Sequence, residues 1–209
     1  MDVKERITCK ASELFCQYGI KSISMDELAT SLGISKRTIY ENFKDKEEIL
    51  LSVLRMMKEK KKEMFESFIT DTSNVVEVFI AIIEIHQNAP IYSGRFFDDI
   101  HKYYPKAARL IQENNEKNTR ELRLFLKKGI EEGYIRGDLN VEATAFLVEE
   151  STFTYIRASM LEEPRFSYRE LFYTMMINFV RGISTGKGIK IIDEYLADKK
   201  EKQTRYEET

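Results

Sequence analysis

The segment from Ser24 to Glu48 constrains the fold more than any other part of the chain, because it starts and stops helices within a few residues. Ser24-Met25-Asp26-Glu27 is a capping box, in which the serine hydroxyl accepts from the Glu27 amide while the Glu27 carboxylate reaches back to the first free amide. Gly33 ends the helix that this box opens, Ser35 caps the next, and Asp45-Lys46-Glu47-Glu48 is the box of a third. Helices of seven or eight residues do not stand alone in water, so they must share a core with their neighbours. Ala29 supplies the small residue at which a second helix can cross, and Gly33 follows it by four. Leu28, Leu32, Ile34, Ile39 and Phe43 supply apolar groups on both sides of the turn. This is the pattern of a helix-turn-helix over about Met25 to Phe43.

With Ile39 turned inward, the 3.6-residue period turns Arg37, Thr38, Tyr40 and Glu41 outward. Lys36 lies nearer the buried side, but its long stem can reach out. Arg37 has the fork geometry for a guanine edge, Thr38 can meet a thymine methyl or a phosphate, and Tyr40 can donate to a phosphate. Between Gly33 and Lys46 the cations Lys36, Arg37, Lys44 and Lys46 outnumber Glu41 and Asp45, 4 − 2 = +2, in a chain of net charge −2. Positive charge is therefore local, as a nucleic-acid surface requires. Spacing alone leaves open a structural three-helix unit with a solvated charged face.

Residues 11–51 resemble the N-terminal domain of the tetracycline-repressor (TetR) family. The resemblance is carried by Ala11…Leu14-Phe15…Gly19, by Ser22-Ile23-Ser24-Met25-Asp26-Glu27-Leu28-Ala29, and by Gly33-Ile34-Ser35-Lys36-Arg37-Thr38-Ile39-Tyr40…Phe43…Lys46-Glu47-Glu48-Ile49-Leu50. It covers about a fifth of the chain and implies a DNA-binding transcription regulator. By position, Ser35 to Tyr40 would enter the major groove, Tyr40 and Lys46 would hold phosphates, and Ser24 would stand at the end of the supporting helix. The DNA-binding residues expected are thus Ser24, Ser35, Lys36, Arg37, Thr38, Tyr40, Lys44 and Lys46. Leu28 stands where the family often has Ile, a volume-neutral difference.

The remaining chain reads as helix throughout, over residues 45–68, 75–87, 94–104, 105–132, 140–161, 167–184 and 189–200, with Gly186 and Gly188 separating the last and a frayed charged tail after it. The expected fold class is all-α: a three-helix DNA-binding domain at residues 1–50, a larger helical effector-binding and dimerisation domain at 51–200, and a tail at 201–209. The helix at 167–184 is apolar on more than one face, so one side can fill the subunit core while the other asks for a second copy. The resemblance pairs it with 140–161 across a homodimer. The helix from Asp45 is expected to be the one direct route between the domains.

The family's C-terminal domain usually takes a small effector, and here His86, Phe96, Phe97, Tyr103, Tyr104, Phe125, Phe153, Tyr155, Met160 and Met175 are candidates to line its pocket. Each is equally an ordinary core residue. Their apolar lean favours a hydrophobic effector, with His86, Glu149, Glu150, Arg157 and Asn178 as polar groups that could orient it. The expectation is a repressor on a palindromic double-stranded DNA operator. The alternatives are an effector-independent regulator, an activator, or a helical protein-interaction module. An enzyme is not expected, nor a cofactor. His86 and His101 lack metal-ligand spacing, and there is no phosphate-cradling glycine loop or G-x-S-x-G. Cys9 and Cys16, seven residues apart on one helix, are separated by about 10.5 Å of rise, too far for a disulfide. Plain thiols fit a reducing compartment, and a redox sensor is the sharper alternative. With no signal peptide and no membrane span expected, the location read from the sequence is the cytoplasm.

Overall fold

A computed structural model describes the chain except for residues 71–72, 89–92, 159–164 and 208–209, and except for the side chains of 149, 151–158 and 202–207. The described residues form helices and no named strand: α1 (Val3–Tyr18), α2 (Met25–Leu32), α3 (Lys36–Asn42), α4 (Lys46–Phe68), α5 (Val75–Asn88), α6 (Gly94–Tyr103), α7 (Pro105–Glu131), α8 (Val141–Ala158), α9 (Tyr168–Ile183) and α10 (Gly186–Glu207). The chain is all-α, as its capping signals require.

Those signals work as local chemistry. Ser24 Oγ accepts from the Glu27 amide at 3.1 Å and Glu27 Oε2 accepts from the Ser24 amide at 2.6 Å. Asn74 with Glu77 and Ser167 with Glu170 repeat the exchange at α5 and α9. Asp2 and Glu5 add a further box at α1. The box at Asp45 is modified: Asp45 caps the Glu48 amide, but Glu48 reaches one residue further back, to the Lys44 amide. Gly33 adopts φ 65°, ψ 31°, the left-handed conformation that the turn needs and that a side chain would strain.

Two compact units emerge. The first comprises Met1–Glu63 and Pro90–Glu116; the second comprises Met64–Ala89, Lys117–Ala158 and Glu163–Thr209. In the first unit Ile7, Ala11, Phe15, Leu28, Ala29, Ile39, Phe43, Ile49, Leu50 and Val53 form one core, to which α6 and the start of α7 add Phe96, Ile100 and Ala107. The helices of the helix-turn-helix therefore share their core with residues 94–107. Both α4 and α7 contribute residues to each unit, so the helix from Asp45 is not the single covalent route expected.

In the second unit α5 packs on α9, and α10 packs on both. Val76, Phe79, Ile83, Leu126, Phe172, Met176, Val180 and Ile192 form its core. Two sequence expectations change here. Gly186 and Gly188 do not precede the last helix but lie in its first turn, and the helix runs on to Glu207 through the segment read as frayed tail. Its entry is fixed by Thr185, whose carbonyl accepts from the Ile189 amide at 2.9 Å. Gly188 is small because a Cβ there would come within 2.7 Å of the Tyr134 carbonyl oxygen. The second change concerns α9, whose apolar surplus is taken up by α5, α8 and α10 of the same chain. What α9 leaves exposed is the stripe Glu170, Thr174, Asn178 and Gly182. Large apolar groups left exposed in this unit are Phe146 and Leu147 on α8, at 58% and 64% exposure, Leu124 on α7, and Phe68 and Phe166.

Candidate nucleic-acid interface

The outward face of α3 follows from its buried one. Ile39 is fully buried and Phe43 nearly so, and together they pin the helix by one stripe. That leaves Ser35, Lys36, Arg37, Tyr40, Glu41 and Lys44 exposed, with Thr38 half-buried. Arg37 projects furthest, its side chain 88% exposed. Ser35 caps α3, its Oγ accepting from the Thr38 amide at 3.0 Å while sharing a 2.9 Å hydroxyl contact with Thr38. Ser24 is likewise engaged as the cap of α2.

The two cations at the start of α3 are held by carboxylates. Lys36 Nζ lies 2.9 Å from Asp26 Oδ2 in the first turn of α2, and Arg37 Nε lies 2.9 Å from Glu41 Oε1 one turn on. The Asp26 partner holds the Lys36 ammonium above the usual lysine range. Both pairs are exposed, so each is weak and exchangeable for a stronger acceptor.

Lys46, in the first turn of α4, is placed differently. Its ammonium donates to the Ile20 carbonyl at 3.0 Å, in the turn between α1 and α2. Partial burial lowers its pKa, against the opposing pull of Asp99 and Glu27. One of its three N–H groups is thus used inside the unit and two remain available. Glu27 is pushed the other way, below the ordinary carboxylate range, by its hydrogen bonds from Ser24.

Residues 7–53 match the family model described as bacterial regulatory proteins, tetR family. The HTH-type transcriptional regulator YhgD of Bacillus subtilis is 30% identical over 155 residues, which span 71% of this chain and 79% of that protein. The chain belongs to the TetR family. It is a DNA-binding transcriptional regulator, and regulators of this family bind DNA operators and act as dimers.

A second TetR-type relative is the HTH-type transcriptional repressor KstR2 of Mycobacterium tuberculosis, 25% identical over 152 residues, 70% of this chain and 76% of that one. Its structure, that of a ketosteroid transcriptional regulator, superimposes with a TM-score of 0.63 at 19% identity, covering 88% and 96% of the two chains. A transcriptional regulator from Saccharomonospora viridis, solved in complex with choline, gives a TM-score of 0.73 at 18% identity over 87% and 97%.

The candidate effector residues of this TetR-family chain are divided between the two units. Phe96 is a core residue of the first unit, and Phe97 and Tyr104 pack against that core. Burial pushes the Tyr104 hydroxyl up to about 12. Tyr103 is 40% exposed, and its hydroxyl accepts from Lys21 Nζ at 3.0 Å. In the second unit His86 stacks on Phe172, ring centroids 4.1 Å apart, and its Nδ1 lies 3.1 Å from the Tyr168 hydroxyl. Phe125 and Met175 pack at the edge of that unit's core. The side chains of Phe153 and Tyr155, with those of Glu149 and Arg157, lie outside the described residues, as does Met160. Glu150 and Asn178 are exposed.

Sequence reasoning did not find the concavity of about 350 Å³ that Gln87, Glu170, Tyr173, Leu196, Lys199 and Lys200 line. Beside it Glu84 accepts from Lys199 Nζ at 2.9 Å and from the Tyr195 hydroxyl. Its lining comes from α5, α9 and α10, and which helices meet there is not written in any local pattern. Both thiols are free, and burial pushes Cys16 up to about 11, which leaves almost no thiolate near neutrality.

Proposed function

We propose that this protein is a repressor that holds a palindromic operator as a homodimer and is released from it by a small apolar or amphipathic effector. The observation that carries the DNA part is the face of α3: Arg37 and Tyr40 project from a helix whose opposite stripe is wholly buried. Arg37 would exchange Glu41 for a guanine edge, while Tyr40, Lys44 and Lys46 would hold phosphates. Ser24, Ser35 and Thr38 would stand at the ends of α2 and α3, with their caps serving also to fix those helices against the duplex. Lys36 would leave Asp26 for the same surface. The exposed Phe146 and Leu147 of α8 support a two-fold contact there. The repressor role is supported by the relative KstR2.

For the effector, the second unit is the better host. Its concavity beside Tyr173 and Lys199 combines an aromatic wall with charged groups, which suits an amphipathic molecule. A differential affinity of about 1.4–2.8 kcal/mol between two dimer spacings would weaken operator binding ten- to a hundredfold. The test is to recover genomic fragments bound by the protein, footprint them, and follow a reporter driven from the footprinted site. An inverted repeat whose reporter output rises when the protein is absent supports the reading. Non-palindromic sites, or output that falls without the protein, overturn it. Ligands that stabilise the protein yet leave operator affinity unchanged would remove the release step alone.

A further inference from the structure

We infer that the first turns of α1 form a second phosphate-binding edge of the DNA interface, in which Lys4 and Arg6 hold the strand across the groove from the one met by Lys46. The inference rests on the reading of α3 as the groove-entering helix.

It starts from which cations are occupied. The first 46 residues hold Lys4, Arg6, Lys10, Lys21, Lys36, Arg37, Lys44 and Lys46. Lys10, Lys36 and Arg37 are paired with carboxylates at 2.6–2.9 Å, and Lys21 is tied to the Tyr103 hydroxyl. Among the described residues no carboxylate pairs with Lys4, Arg6, Lys44 or Lys46. Lys44 and Lys46 flank the start of α4 beside the recognition helix, and Lys4 and Arg6 are the two left over.

Their placement is specific. Lys4 Nζ lies 5.1 Å from the ring centroid of Phe43, the residue that closes α3. The Arg6 guanidinium lies 3.5 Å from the carbonyl of Leu32, the residue that closes α2. Both cations therefore stand at the C-terminal ends of the two helices of the motif. Each is exposed, and Arg6 keeps most of its five N–H donors for another acceptor.

Helix stability does not account for them. They occupy the second and fourth positions of α1, where the aligned peptide dipoles favour anions and disfavour cations. The neighbouring carboxylates of Asp2 and Glu5 are turned onto backbone amides in the capping box, which leaves both cations open to an anion supplied from outside.

The span also fits. Lys46 reaches the Ile20 carbonyl just past the C-terminal end of α1, whereas Lys4 and Arg6 are in its first turns. Sixteen residues of helix cover about 24 Å, wider than the roughly 12 Å mouth of the major groove. A helix lying in that groove has one phosphate strand along each wall. Lys46 can serve one wall only, and the opposite end of α1 is placed for the other.

Phosphate binding does not depend on sequence, so a random 30-base-pair duplex is a sufficient probe. Binding is measured against salt for the wild type, K4Q/R6Q, K4R/R6K and K46A. The slope of log K against log salt should shrink by about 0.9 for each phosphate that is no longer neutralised, so K4Q/R6Q should flatten it by about 1.8 per protomer. At about 0.1 M salt each such phosphate corresponds to roughly eightfold weaker binding. K4R/R6K, which keeps both charges, should retain the wild-type slope, and K4Q/R6Q should keep the wild-type helical content and a single cooperative melt. If K46A flattens the slope while K4Q/R6Q leaves it unchanged, the second edge does not exist though the DNA reading stands. If the wild type itself binds the duplex without salt dependence, both fall.

Discussion

At the scale of single residues, the interface separates charges that have an internal job from charges that do not. Lys46 has both kinds of partner within reach. Lys46→Ala should weaken binding to all DNA sequences about equally and lower the salt slope by about 1. It should also cost about 0.5–1.5 kcal/mol of folding stability, because the Ile20 carbonyl is deprived of its donor. A denaturant titration read beside the binding isotherms separates the two effects, and unchanged stability would show that water replaces the ammonium. Arg37 has no such internal duty, its carboxylate partner being exposed and one turn away. Arg37→Ala should leave stability within about 0.5 kcal/mol and weaken operator binding by roughly 1–3 kcal/mol, relaxing preference at one base pair per half-site. Equal weakening on operator and random duplex would make Arg37 a phosphate ligand instead.

At the scale of elements, helix ends carry the acid sensitivity. Hydrogen bonds from Ser24 and Ser167 hold the carboxylates of Glu27 and Glu170 below their ordinary range. A carboxylate whose folded pKa is depressed contributes stability above its unfolded pKa and loses it as pH falls through the folded value. The thermal midpoint should therefore drop on acidification through and below the usual carboxylate range. The double variant Glu27→Gln, Glu170→Gln should flatten that part of the profile; an identical acid slope would place the sensitivity elsewhere. These ends were readable from sequence because a capping box is complete within four residues. Gly188 was not, because its reason is a carbonyl more than fifty residues away. Read as a breaker, it is in fact a close-approach site, and Gly188→Ala should destabilise by roughly 1–3 kcal/mol through crowding against Tyr134, measured by chemical denaturation. The same distinction runs through the interface. The outward aim of Arg37 and Tyr40 follows from the period around Ile39. The Lys36–Asp26 pair, the Lys46 tether and the burial of Phe96 under the DNA-reading helices depend on which helices meet.

At the scale of the whole molecule, Phe146 and Leu147 on α8 are an adjacent pair of large apolar groups left exposed to solvent. Sedimentation at micromolar concentration should give the mass of two chains. Phe146→Arg with Leu147→Glu should shift it toward one chain while leaving the helical content unchanged. A wild type sedimenting as a single chain would contradict the two-fold reading, and with it the expectation of an inverted-repeat operator.

The carboxylates parked beside Lys36 and Arg37 bear on how such a protein would travel along a genome. On leaving a base that does not match, either cation would return to Asp26 or Glu41 and not to bare water. Each exposed pair would favour that retreat weakly and so shorten a wrong encounter. Replacing Glu41 by glutamine would leave Arg37 clinging longer to near-matches, so the same charge that weakens the final grip shortens every false stop before it.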